Sequence, residues 1–160
     1  MKEKRINGER LSVARNPKAT FDFHILETME AGIVLTGTEV KSLRRGKASI
    51  KEGYGRLARG ELFLDGITIT PYEQGGVWNH PSVRSRKLLL HRKELERLIG
   101  AVERDGCALI PLELYFAPTG KAKVAIALAK GKKQHDKRED LKKKDAQREM
   151  SRAMASRGRQ

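Results

Sequence analysis

The sequence predicts a mainly β protein: a small antiparallel barrel or Greek-key sheet with one clear helix, flanked by basic ends. Three observations predict it. Short apolar segments with period-two alternation, separated by turn residues, fill the middle of the chain. One stretch, residues 91–104, has helical rather than strand spacing, and the net charge collects at the termini. The chain has 160 residues, 34 Lys+Arg against 20 Asp+Glu, and 38% apolar residues, enough for one core in one domain.

In chain order, Phe21, Phe23 and Ile25 alternate with Asp22 and His24, a half-buried strand running on towards Met29. A second apolar run, residues 32–35, follows. Thr38 is placed to cap a short helix over 39–45, closed by Gly46. Next come a strand over 50–58, a turn at Arg59-Gly60, a strand pair over 62–64 and 67–69, and a loop marked by Gly75-Gly76 and Pro81 that holds Trp78. In residues 91–104, Leu95, Leu98, Ile99 and Val102 fall on one helical face, with Gly106 just past the end. Two strands finish the unit, 107–116 with an interruption at Pro111 and 123–129 with Val124, Ile126 and Leu128 on one face, joined by Pro118-Thr119-Gly120. Closing such strands into a barrel removes exposed edges. Phe21, Phe23 and Phe63 are expected in the core.

The formal charge of +14 is unevenly spread. Residues 1–20 hold six cations and two acids, and residues 130–160 hold twelve and five, leaving a net of only +3 on the 109 residues between. After Ala129 the only apolar residues besides alanine are Leu141, Met150 and Met154. Such a segment buries too little surface to offset its ordering entropy and is expected to be disordered or a frayed helix when free. It nevertheless lacks proline, and it carries Glu139 with Lys143 and Asp140 with Lys144 in the favourable i,i+4 order. It reads as a helix awaiting a partner, the plainer alternative being a solvated solubility tail.

Several function classes are excluded or disfavoured. No stretch approaches the roughly 18 apolar residues of a membrane span, and no apolar segment follows the N-terminal charges as in a secretion signal. The lone Cys107 forms no internal disulfide, in keeping with a reducing cytoplasm. His24, His80, His91 and His135 have no metal-ligand spacing, and neither glycine-lysine stretch matches a phosphate-binding loop. Glu30 and Glu39 have no second carboxylate placed beside them by the sequence, so they read as solvated strand-end or helix N-terminal acids rather than catalytic groups.

Binding features are stronger. Lys41, Arg44, Arg45, Lys47 and Lys51 fall within eleven residues, and Arg84, Arg86, Lys87, Arg92 and Lys93 within ten. Two clusters and two basic ends on one small barrel form a polyphosphate footprint, against the alternative of ordinary solvated faces. With eight aromatics in all, the chain is poorly equipped to stack along a single strand, Trp78 and Tyr54 being the available exceptions. Recognition of folded RNA by shape and backbone fits better.

The runs EAGIVLTGTEVKSLRRGKASI (30–50), RKLLLHRKELERLIG (86–100), LYFAPTGKAKVAIALAKGKK (114–133) and KKQHDKR (132–138) closely resemble the SmpB family, which binds transfer-messenger RNA (tmRNA). The resemblance spans roughly residues 16–160. It implies an OB-like six-stranded antiparallel barrel with packed helices, no catalytic activity and no cofactor. It also implies a cytoplasmic, monomeric adaptor that delivers tmRNA to stalled ribosomes for trans-translation. The barrel would hold the tRNA-like domain, elongation factor Tu would arrive with the alanylated RNA, and the tail would fold as a helix in the empty message channel against small-subunit RNA. By motif, Glu30, Leu89 and Lys123 match positions used for RNA binding, joined by the basic residues Lys41, Arg44, Arg45, Lys47, Arg84, Arg86 and Lys87. Gly131, Lys132, Lys133, His135, Asp136, Lys137 and Arg138 match the tail motif for the decoding centre. Leu89 is expected to keep the RNA-facing surface in shape. The chain departs from the family pattern at Pro81-Ser82, after Asn79-His80, and at Thr20-Phe21-Asp22.

The expected organisation is a basic arm over 1–20, the barrel over 21–130 and the tail over 131–160. A basic structural ribosomal or rRNA-binding protein and an RNA-processing nuclease are the rival readings, the nuclease weakened by the lack of a carboxylate or histidine constellation.

Overall fold

The structure, a computed structural model, describes residues 9–157. Residues 1–8 of the expected arm and 158–160 of the tail lie outside the described residues. The elements in order are β1 (Leu11–Arg15), α1 (Lys18–Asp22), β2 (Phe23–Ile33), α2 (Gly37–Arg44), β3 (Ala48–Ser49), β4 (Tyr54–Ala58), β5 (Glu61–Asp65), β6 (Thr68–Ile69), β7 (Arg86–Leu89), α3 (Arg92–Asp105), β8 (Ala108–Phe116), β9 (Ala122–Gly131) and α4 (Gln134–Arg157). A short 3-10 turn, Gly76–Trp78, lies between β6 and β7.

Six antiparallel strands close a ring in the order β8-β4-β5-β7-β2-β9, with β9 pairing back to β8, so the mainly β barrel is present. Strand β8 holds it together. One edge pairs with β9 along most of its length, and the other meets β4 at Leu109 and β1 from Glu113 to Phe116. A bulge between Pro111 and Glu113 bends the strand, which is where a residue without an N–H is tolerated. Pro111 therefore kinks the strand without ending it.

Alternation decides what fills the barrel. Leu62 and Leu64 of β5, Val124 and Ile126 of β9, and Leu114 and Phe116 of β8 point inward, joined by Ile50, Ile67, Leu88 and by Leu98 of α3. A smaller cluster on the outer face of β8 and β9, Ala19, Ile110 and Ala129 with Phe23 and Ile25 against it, lies under α1. The expectation of three core phenylalanines is corrected accordingly. Phe63 follows the inward Leu62 and must face out, where Arg56 lies 5.2 Å from its ring centroid, and Phe21 lies beneath Lys144. Phe116 is the fully buried one.

The local expectations are adjusted at several points. Leu11–Arg15, assigned by composition to the arm, is a strand, and the first long strand begins at Phe23 because residues 18–22 form a helical turn. The stretch over 50–58 is a strand only from Tyr54, and β6 pairs with β3 rather than β5. Helix α2 starts at Gly37 with Thr36, not Thr38, at its cap, because the Thr36 N–H donates to Glu39 three residues on, at 2.9 Å. Gly46 and Gly106 take left-handed φ of 72° and 64° beyond α2 and α3, as their positions require.

Candidate RNA interface

Strand register brings together three residues far apart in sequence. Gly32 of β2 pairs with Leu89 of β7 on one side and with Lys123 of β9 on the other. Leu88 and Val124 point into the core, so Leu89 and Lys123 point out, and Glu30, two residues before Gly32, shares that face. Together they line an open groove of about 560 Å³ that continues onto the start of α3 through His91, Glu94 and Arg97. Gly32 leaves the floor open between its neighbours, since a Cβ there would sit 3.3 Å from that of Leu89.

The groove is electrostatically ordered. Glu30 accepts hydrogen bonds from Lys123 Nζ and from the Tyr115 hydroxyl, and its carboxyl is held below its ordinary value by Lys123 first and Tyr115 second. Burial and the bond to Glu30 push the Tyr115 phenol upward, and Arg10 stacks 3.6 Å from that ring's centroid. Arg97 pairs with Glu27 at 2.6 Å on the same rim. Glu30 thus aims Lys123 while keeping acceptor capacity towards solvent. Leu89 is 53% exposed, a large apolar surface beside these charges. Nothing local in the sequence singles out Tyr115, Gly32 or Arg97. Only the antiparallel register puts them beside Glu30.

The basic clusters separate into outward and inward members. Lys41, Arg44 and Lys51 are exposed, whereas Lys47 bonds Glu73 at 2.6 Å and Arg45 lies over Tyr72. In the second cluster Arg86 is corrected outright as an RNA contact: it is fully buried. Its guanidinium bonds Glu39 at 2.8 and 3.1 Å and the carbonyls of Ser82, Arg84 and Ile67 at 3.0–3.3 Å. Arg84 makes a bidentate pair with the same carboxylate at 2.8 and 2.6 Å, and Lys87 bonds Glu61 at 2.5 Å. Glu39 is therefore no solvated helix acid. Burial alone would push its carboxyl up, but Arg84, the Thr36 N–H and Arg86 hold it below its ordinary value. This buried knot ties α2 to the chain entering β7, leaving Arg92 and Lys93 as the outward members of that cluster.

The tail motif follows β9 directly. Asp136 lies 3.4 Å from His24 and accepts from the Lys133 N–H, Lys137 pairs with Asp22 at 3.3 Å, and Lys132 bonds the Thr20 carbonyl and Asp140. His24, and Lys133 behind it, hold the Asp136 carboxyl below its ordinary value. His135 and Arg138 face solvent, as does Gly131. From Leu141 to Ser156 every residue of α4 is exposed, so beyond its first two turns the helix touches no core.

Among the described residues no cluster of His, Cys, Asp or Glu is arranged to hold a metal ion, and no helix is long and apolar enough to cross a membrane. The family model for SmpB protein matches residues 13–156, most of the barrel and tail. The chain belongs to the SmpB family. An SsrA-binding protein of Bacillus pumilus is 53% identical over 96% of this chain and 97% of its own length. One from Saccharopolyspora erythraea is 58% identical over 89% of each. Among solved structures, a chain from work described as "tmRNA-SmpB: a journey to the center of the bacterial ribosome" matches this SmpB-family chain with a TM-score of 0.63 at 52% identity. It covers 75% of this chain and 84% of that one.

Proposed function

We propose that this SmpB-family chain binds tmRNA and carries it to stalled ribosomes for trans-translation. The observation that carries the reading is the division of the molecule: a closed barrel presenting one ordered, partly apolar groove, followed by a basic helix with no core of its own. In this reading the groove around Glu30, Leu89 and Lys123 seats the tRNA-like domain, with Lys123 on a phosphate and Glu30 accepting from a ribose hydroxyl or base amine. Lys41 and Arg44 add phosphate contacts from α2, and Arg45, Lys47, Arg84 and Lys87 contribute field through their ion pairs.

The tail then enters the message channel. His135 and Arg138 already face outward, and Asp136 and Lys137 must leave His24 and Asp22 to join Gly131, Lys132 and Lys133 against small-subunit RNA. Off the ribosome the distal helix frays, because no core residue packs on it. Elongation factor Tu arrives as a partner of the alanylated RNA, and the protein acts in the cytoplasm as a non-enzymatic monomer. Recovering the RNA that co-purifies with the full chain tests the reading. One dominant species with a tRNA-like end is expected, and a bulk ribosomal RNA profile would favour a structural ribosomal protein instead.

A further inference from the structure

We propose that Trp78 is a stacking platform for an unpaired RNA base, a contact separate from the groove. The loop joins β7 at its Arg86 end, whereas Leu89 of the groove lies at the other end of that strand. Trp78 is 78% exposed and Val77 beside it 93%, so neither serves the core.

The segment that carries them is nonetheless firmly built. Asn79 closes it with its side-chain amide, accepting from the Tyr72 N–H at 3.1 Å and donating to the Tyr72 carbonyl at 2.8 Å. Inside that ring Gly75 N–H donates to Tyr72 and Trp78 N–H to Gly75, at 2.8 and 3.0 Å. Gly75 admits no side chain, since a Cβ would meet the Asn79 amide at 2.5 Å, and Gly76 turns the chain with a φ of 50°. A loop backbone built this way loses little further conformational freedom when something stacks on the indole it carries.

The occupant follows from what surrounds the root. Arg45 and Lys41 stand 4.6 and 5.5 Å from the Tyr72 ring centroid, and Lys47 is anchored by Glu73, so three cations meet one carboxylate there. One indole with a valine is too small for a stable protein interface, which needs about 1,000 Å². An indole whose loop is rooted among these cations suits a nucleobase with its own backbone. The base comes either from tmRNA or from ribosomal RNA, the shared chemistry being an unstacked base flanked by phosphates.

This inference rests on the RNA-binding reading above. Trp78 is the only tryptophan in the chain, so its fluorescence reports on this site alone. The full chain is titrated with end-labelled tmRNA and, separately, with end-labelled small-subunit ribosomal RNA freed of its proteins, following binding by the RNA label and stacking by indole emission. Saturable quenching is expected in one arm, which identifies the source. In that arm Trp78→Ala weakens binding by about 5- to 100-fold, Trp78→Phe restores most of it, and neither changes the melting temperature. Lys41→Ala is expected to weaken binding while leaving the quench at saturation unchanged. Binding that saturates in both arms with emission unmoved and Trp78→Ala at wild-type affinity overturns the platform while leaving the RNA-binding reading intact. Absence of binding in both arms overturns both.

Discussion

The barrel and the tail helix are both basic surfaces on one small chain, and they are built in opposite ways. In the barrel several candidate cations are held by a carboxylate, Lys123 by Glu30, Lys47 by Glu73 and Lys87 by Glu61, while Lys41, Arg44 and Lys51 stand exposed around them. In α4 from Leu141 to Ser156 each residue is exposed, and the helix is supported by local pairs and by Lys144 over the Phe21 ring. A surface that must recognise the shape of a folded RNA needs its charges held in place. A segment that must thread a channel and fold there does better with few commitments of its own. The seven tail-motif residues lie at the border, where Asp136 and Lys137 are paired to the barrel and His135 and Arg138 are not.

If the barrel works through phosphates, salt should separate the two regions most strongly. Neutralising six to ten phosphates lowers tmRNA affinity by about 10³- to 10⁵-fold between 50 and 200 mM salt. A filter-binding series reads the slope, and a chain lacking residues 134–160 should keep nearly all of it. A flat slope would break the electrostatic account of the barrel.

Next in size is the buried knot. Glu39→Ala leaves Arg86 charged and unpaired in the interior, and the expected loss is about 3–5 kcal/mol of folding stability, seen as an early denaturant midpoint. The same measurement on Asp145→Ala, in the tail, should move by less than about 1 kcal/mol, because its pair with Arg148 is solvent-exposed.

A smaller effect is expected in the groove. Lys123→Ala should weaken tmRNA binding by roughly tenfold, as expected for one charge-assisted contact, with the melting temperature little changed. Glu30→Gln should cost less, since it mis-aims the lysine without removing it. If Glu30→Gln bound more tightly than wild type, the carboxylate would be repelling RNA rather than ordering the groove.

Acid sharpens the comparison in the same direction. Glu39 and Glu30 have carboxyls held below 4.5 in the fold, so their contribution is complete above that value and is lost as pH falls through their lowered values. Thermal melts should therefore be level from neutral pH down to about 4.5 and fall below it. Glu39→Gln should flatten that acid limb.

Much of this was legible in the sequence where the signal is local. The period of two in Val124, Ile126 and Leu128, the helical face of Leu95, Leu98 and Val102, and the glycines after α2 and α3 all stand where expected. The Thr36-x-x-Glu39 capping signature was present as well, although a nearer threonine obscured it. What was not legible depends on distant partners. Leu11–Arg15 is a strand because β8 offers it an edge, not because its own composition demands one. Arg86 looks like any surface cation until Glu39, 47 residues away, is brought against it. Glu30, Leu89 and Lys123 are legible through family motifs alone. Only the pairing of Gly32 with both neighbouring strands brings them onto one face.

The most direct test of the division of labour is a chain ending at Lys133, which keeps β9 and every barrel ladder but loses α4. Its tmRNA affinity and its peptide tagging on ribosomes stalled without a stop codon are measured side by side. The expected result is affinity within about twofold of the full chain, since the groove contacts and their counterion release are retained, and no detectable tagging. Tagging by the truncated chain, or loss of tmRNA binding from a barrel that still melts as a folded unit, would contradict it.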